Sequence, residues 1–121
     1  MRPDLLLKLV DLMTNPKSEH RNGHDTGESR VAGSTHELGT FEIVVNYSGP
    51  EMHTTGHCGM QYLTIKQDEK NITIRVLRRK GAFIKNDTVL DKGDHIGLKA
   101  WYDAWFSEVI AENKKPTPMN Y

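Results

Sequence analysis

Two histidines and a cysteine lie close together in the segment GPEMHTTGHCGMQY, residues 49–62. His53 and His57 are four residues apart, and His57 directly precedes Cys58, the only cysteine in the chain. Zinc accepts imidazole nitrogen and thiolate sulfur as ligands, and a neighbouring imidazole can lower the pKa of a thiol and make it nucleophilic. The segment therefore raises two chemical hypotheses, a metal site and a catalytic cysteine.

The composition of the same segment argues against both hypotheses. Gly49, Pro50 and Gly56 disfavour a helix, so the two histidines lack the helical spacing that would let them share a metal ion. If the segment is chemically active, we expect another histidine, His36 or His95, to complete the site. We predict a polar loop between two strands, with no metal and no cofactor. A metal- or thiol-dependent enzyme that uses His53, His57 and Cys58 is kept as the second alternative function.

A basic run is the strongest electrostatic feature of the sequence. Residues 70–85 contain six cations and no acid. Cations on a strand can contact an acidic protein surface or grip a phosphate backbone. We predict that Arg75, Arg78 and Arg79 bind a partner, and a nucleic-acid-binding module that uses residues 70–85 is the first alternative function.

The C-terminal part of the chain concentrates its large rings. Trp101, Tyr102, Trp105 and Phe106 are four of the nine aromatic residues. On a helix, residues 101 and 105 share one face, whereas 102 and 106 are rotated by about 100°. We therefore expect part of this aromatic surface to be exposed, and we predict that Trp105, Phe106 and Tyr102 contact a protein partner or a second copy of the chain.

The elements that must position these residues follow from hydrophobic periodicity. Apolar residues at helical spacing predict a helix over residues 4–14, and a second helix is predicted after Asp94. Alternation predicts strands at 41–47, 60–67 and 71–80, with 82–84 as a short fourth. Residues 15–37 are predicted to be a flexible or disordered loop and 116–121 a tail. The fold class is α+β: a three- or four-stranded antiparallel sheet flanked by an N-terminal and a C-terminal helix, in a single domain over 1–121.

The totals restrict the class of protein. The 16 basic and 16 acidic residues balance, so no global charge draws the chain to nucleic acid or to an anionic membrane. A single cysteine and the absence of a long apolar run predict a cytoplasmic protein without a membrane contact. No sequence motif for an enzyme is present. The sequence thus predicts a small non-catalytic binding protein, such as an inhibitor, an immunity protein or a regulatory factor, that acts by surface contact with a macromolecular partner.

Overall fold

The structure, a computed structural model, describes residues 2–15, 27–48, 51–78 and 87–114 of the 121-residue chain. An N-terminal helix, six strands and a C-terminal helix follow one another in these ranges. The elements are α1 (Arg2–Thr14), β1 (Gly27–Thr35), β2 (Gly39–Ser48), β3 (Glu51–Cys58), β4 (Gln61–Gln67), β5 (Asn71–Arg78), β6 (Thr88–Asp91) and α2 (His95–Lys114).

The six strands form one antiparallel sheet whose spatial order is the order of the chain. The register places Ile43 opposite Gly56, Gly56 opposite Leu63, and Leu63 opposite Val76. Because successive side chains of a strand point to opposite faces, this register brings the apolar residues of neighbouring strands onto one face. We call that face the inner face and the other the outer face.

Both helices pack against the inner face and form one core with it. The buried side chains of α2 are Leu98, Tyr102, Trp105, Phe106 and Val109. From α1, Leu9 and Met13 are fully buried, and Met13 accepts a hydrogen bond from the Thr54 hydroxyl of β3. The structure therefore confirms the predicted α+β class, with an antiparallel sheet and a helix at each end.

Side-chain hydrogen bonds fix two of the turns. The carboxylate of Asp94 accepts a hydrogen bond of 2.8 Å from the backbone N–H of Gly97, which caps the first turn of α2. Between β4 and β5, the Asp68 carboxylate accepts the backbone N–H groups of Asn71 and Lys70 at 2.8 and 2.9 Å. These bonds close the turn and lower the pKa of Asp68.

The strand count corrects the prediction, because the sheet has six strands rather than three or four. Strand β1 lies inside residues 15–37, which were predicted to be a flexible or disordered loop; residues 16–26 lie outside the described ranges. Only Ser29 and Val31 of β1 are buried. The strand is held mainly by backbone pairing with β2 along its whole length, which composition does not reveal.

Strands β3 and β6 were also not predicted to be strands. β3 occupies most of the segment predicted to be a loop, because pairing with β2 on one side and β4 on the other outweighs the weak strand preference of Gly56. β6 lies in residues 88–91, for which no strand was predicted. The predicted fourth strand at 82–84 and the tail at 116–121 lie outside the described residues.

Within the described ranges, neither helix combines the length and the apolar character required to cross a bilayer.

Candidate functional site

The cysteine and the histidines of β3 point to opposite faces of the sheet. Cys58 is fully buried on the inner face, whereas His53 and His57 are partly exposed on the outer face. His53 lies 3.3 Å from the Glu51 carboxylate. The alternation of the strand therefore separates the thiol of Cys58 from the imidazole of its neighbour, and the pair cannot act as nucleophile and base.

Burial also changes the chemistry of the Cys58 thiol. Loss of solvation raises the pKa of Cys58 to about 12, since the thiolate is not stabilised in an apolar environment. No group of three or more His, Cys, Asp or Glu side chains that could hold a metal ion, with or without Cys58, occurs in the part of the chain that the structure describes.

We expect alkylation of Cys58 by iodoacetamide to be far slower in the folded protein than in the same protein unfolded in urea. The thiol stays protonated below a pH of about 12 and is covered by the core, so raising the pH from 7 to 9 should accelerate labelling much less than for a free thiol. Mass spectrometry of timed samples measures both rates. Labelling of the folded protein at the rate of a free thiol would contradict the burial.

The aromatic residues predicted to bind a partner form part of the core. Tyr102, Trp105 and Phe106 are fully buried. The indole N–H of Trp105 donates a hydrogen bond of 2.9 Å to the side-chain oxygen of Gln61 on β4. These three rings are therefore covered in the folded chain, and of the four aromatic residues expected to leave some surface exposed, only Trp101 is partly exposed.

The three arginines predicted to bind a partner are placed in three different ways. Arg75 lies on the outer face and donates two hydrogen bonds, of 3.1 and 2.9 Å, to the carboxylate of Asp87. This pairing lowers the pKa of Asp87. Arg78, at the end of β5, forms a similar fork of 3.2 and 3.0 Å with Glu112 of α2. Arg79 lies outside the described residues.

The ion pair between Arg78 and Glu112 adjoins the hydrogen bond between Trp105 and Gln61. The side-chain amide of Gln61 donates a hydrogen bond to Glu112 at 3.3 Å, while its oxygen accepts the indole N–H. Gln61 is opposite Arg78 in the register. Arg78 is thus engaged in a connection between α2 and the sheet rather than presented alone to a partner.

Three interior strands bring a set of polar side chains together on the outer face. In one row across β3, β4 and β5 stand Thr55, Thr64 and Arg75; in the adjacent row stand His53, Lys66 and Thr73. Neighbouring strands are about 4.8 Å apart and successive residues on one face about 7 Å, so these six side chains share one compact area. We call it the central grid.

The central grid surrounds a groove of about 330 Å³. Short threonine side chains alternate with the longer His53, Lys66 and Arg75 around the groove. Within the described residues, the Lys66 ammonium and the hydroxyls of Thr55, Thr64 and Thr73 form no hydrogen bond or ion pair with one another or with other side chains. Their hydrogen-bonding groups are therefore available to a ligand.

A pair of rings lies beside the central grid on the same face. Tyr62 is opposite His57 in the register, and the two ring centroids are 5.8 Å apart. Tyr62 is 44% exposed, although it lies on an interior strand. Exposed tyrosines are enriched at protein interfaces because they combine a large apolar area with a hydroxyl that can form hydrogen bonds.

Sequence reasoning did not single out Tyr62, Lys66 or the three threonines. The alternation of exposed and buried residues in β4 was the available signal, because it places Tyr62, Thr64 and Lys66 on one face. The register that brings Thr55 and Thr73 beside them is a property of the folded sheet.

The helical side of the molecule offers a competing surface. Leu7 of α1 is 55% exposed and Ile96 of α2 is 84% exposed. Leu7 and His95 line a second open groove between the two helices, together with Val10 and Asp11. The exposed Leu7 and Ile96 are therefore useful reporters for the side of the molecule opposite the central grid.

Comparison with models of protein families, with curated proteins and with solved structures finds no match to this chain.

Proposed function

We propose that this chain is a small non-catalytic binding protein that presents the outer face of its sheet to a protein partner. The observation that carries the proposal is the groove of the central grid, where one ammonium and three hydroxyls have no partner among the described side chains. An antiparallel sheet often has one solvated face, so exposure alone does not indicate binding. The groove adds to this exposure a set of polar groups, on interior strands, that are available to a ligand.

Two further features support a protein partner. The exposed Tyr62 ring beside His57 provides the kind of aromatic anchor that protein interfaces use. The outer face also carries both signs of charge: Arg30 bridges Glu28 at 2.9 Å and Glu42 at 3.4 Å. A face with both signs of charge matches the mixed charges of a protein partner better than the uniform negative charge of a nucleic acid. An inhibitor, an immunity protein or a regulatory factor acts in this way, and a cytoplasmic location stays a prediction.

A nucleic acid is the second candidate partner. Lys66 and Arg75 lie on the same face as the Tyr62–His57 pair, and cations beside exposed rings can bind a single strand. However, Arg75 is neutralised by Asp87 and Arg78 by Glu112, so two cations of the basic run already have carboxylate partners. The salt dependence of binding distinguishes the two candidates, because contacts with several phosphates give a steep slope.

The proposal is tested by affinity capture from the native host with two matched variants. Thr64→Glu places a carboxylate in the middle of the outer face, and Ser107→Glu places the same group at an exposed position of α2. We expect the wild type and Ser107→Glu to recover the same partner, and Thr64→Glu to recover at least about 10-fold less, because the added side chain and its negative charge would lie in the interface. Circular dichroism establishes that both variants fold.

Equal recovery of the partner by Thr64→Glu and the wild type would overturn the assignment of the outer face. Recovery of nucleic acid, with affinity that falls steeply between 50 and 200 mM salt, would favour the second candidate.

A further inference from the structure

The central groove contains donors and no carboxylate. Its polar lining consists of three hydroxyls, the Lys66 ammonium, the Arg75 guanidinium and the His53 imidazole. Two acids beside the groove are already held by two of these groups: Asp87 pairs with Arg75 at 2.9 Å, and Glu51 lies 3.3 Å from His53. Among the described residues Lys66 forms no ion pair. The Asp68 carboxylate, whose pKa is lowered by hydrogen bonds from the backbone N–H groups of Asn71 and Lys70, is also attracted by the Lys66 charge.

The position of Lys66 does not serve to protect a sheet edge. Lysines often lie on edge strands, where they discourage pairing with other chains. Lys66 lies on β4, which is paired with β3 on one side and β5 on the other. Thr73 is directly opposite Lys66, and Thr64 is two residues away on the same face of the strand. Two hydroxyls therefore flank the ammonium.

The geometry points to a carboxylate subsite, in which Lys66 binds an acidic side chain of the protein partner while Thr64 and Thr73 donate hydrogen bonds to its oxygens. One lysine charge without an ion-pair partner matches one carboxylate, whereas a phosphate dianion would leave negative charge unbalanced. A lysine ammonium and two hydroxyls can satisfy both oxygens of a carboxylate. The inference rests on the proposed function, because it names the chemical group that the partner inserts in the groove.

The subsite is tested by NMR titration with two peptides that differ only in charge, hexaglutamate and hexaglutamine. The protein variants are Lys66→Met and, as a matched control, Lys99→Met, since Lys99 is exposed on α2. We expect hexaglutamate to shift the amide signals of Thr64, Lys66 and Thr73 saturably, and hexaglutamine to leave them unchanged. Lys66→Met should weaken the affinity for hexaglutamate about 10-fold, as expected for one charged hydrogen bond, and Lys99→Met should not.

Equal shifts with both peptides, or equal affinities of Lys66→Met and Lys99→Met, would overturn the subsite. Tighter binding of inorganic phosphate than of hexaglutamate at the same signals would overturn it in favour of a phosphate site.

This result is separate from the capture experiment. If Thr64→Glu loses the partner but Lys66→Met retains it, the outer face binds the partner without the subsite, and only the inference fails. If hexaglutamate binds at Lys66 but Thr64→Glu captures the partner normally, the groove accepts a carboxylate and the proposed function fails.

Discussion

Replacement of Trp105 by phenylalanine is expected to lower the free energy of unfolding by about 2–3 kcal/mol. The indole is fully buried and stacks on Phe106, with ring centroids 5.7 Å apart. Its N–H donates to the side-chain oxygen of Gln61, which is itself buried. Phenylalanine fills less volume and leaves that oxygen without its donor, so a packing loss and an unsatisfied acceptor add together. Urea unfolding followed by circular dichroism measures the change.

Trp101→Phe is the matched control, because it makes the same chemical change one helical turn away. Trp101 is only partly buried, and its ring stacks on Trp105 with centroids 5.5 Å apart. We expect it to lower the free energy of unfolding by less than about 1 kcal/mol, as the smaller buried area implies. Equal losses for the two variants would contradict the stabilising effect of the burial of Trp105 and of its hydrogen bond to Gln61.

Gly56→Ala is expected to destabilise the protein by about 3 kcal/mol or more, as overpacking against backbone does. A Cβ atom at Gly56 would overlap the carbonyl oxygen of Glu42 and lie 2.8 Å from the Cα atom of Ile43. Both obstacles are backbone atoms of β2, which cannot rotate away as a side chain can. The strands β2 and β3 would have to separate in the middle of the sheet. Thermal and urea unfolding measure the loss.

The control for this variant is Gly33→Ala on β1. There the added Cβ would meet the ring of Phe41 at 3.1 Å, and a side chain can shift to make room. Alanine also loses less conformational entropy than glycine on folding, which offsets part of the strain. We expect a change within about 1 kcal/mol. A loss at Gly56 no larger than at Gly33 would mean that the close approach of β2 and β3 is relaxed in solution.

The elements with strong side-chain periodicity were predictable from the sequence. Residues 41–47, 60–67 and 71–80 were expected to be strands and correspond to β2, β4 and β5, because large apolar residues alternate along them. Strands β1, β3 and β6 carry fewer large apolar residues. Their stability comes from pairing with neighbours, a long-range property that a local pattern cannot express.

The aromatic residues of α2 show why a correctly predicted helix does not expose the rings that were expected to contact a partner. The 100° rotation between residues 101 and 105 on one hand and 102 and 106 on the other suggested that some rings face solvent. The rotation is real, but α2 packs against the sheet on one side and α1 on another. A helix covered on two sides buries a wider stripe, so Tyr102, Trp105 and Phe106 all enter the core.

The candidate site depended on information that the sequence contains only indirectly. Thr55, Thr64 and Thr73 are on three different strands, and the turn at residues 59–60 and the turn at 68–70 decide whether they meet. A shift of one residue in either register would move a strand's side chains to the other face. The sequence did identify Arg75, which lines the groove, but not the neighbours that define its surroundings.

Methyl cross-saturation in the complex with the captured partner tests most directly whether the outer face is the binding face. Methyl groups report on both sides of the molecule: Thr55, Thr64 and Leu77 on the outer face, and the exposed Leu7 and Ile96 on the helices. We predict that irradiation of the partner reduces the signals of Thr55, Thr64 and Leu77 and leaves those of Leu7 and Ile96 unchanged. Saturation of Leu7 and Ile96, with the threonine signals unaffected, would place the partner on the helices and contradict binding through the outer face.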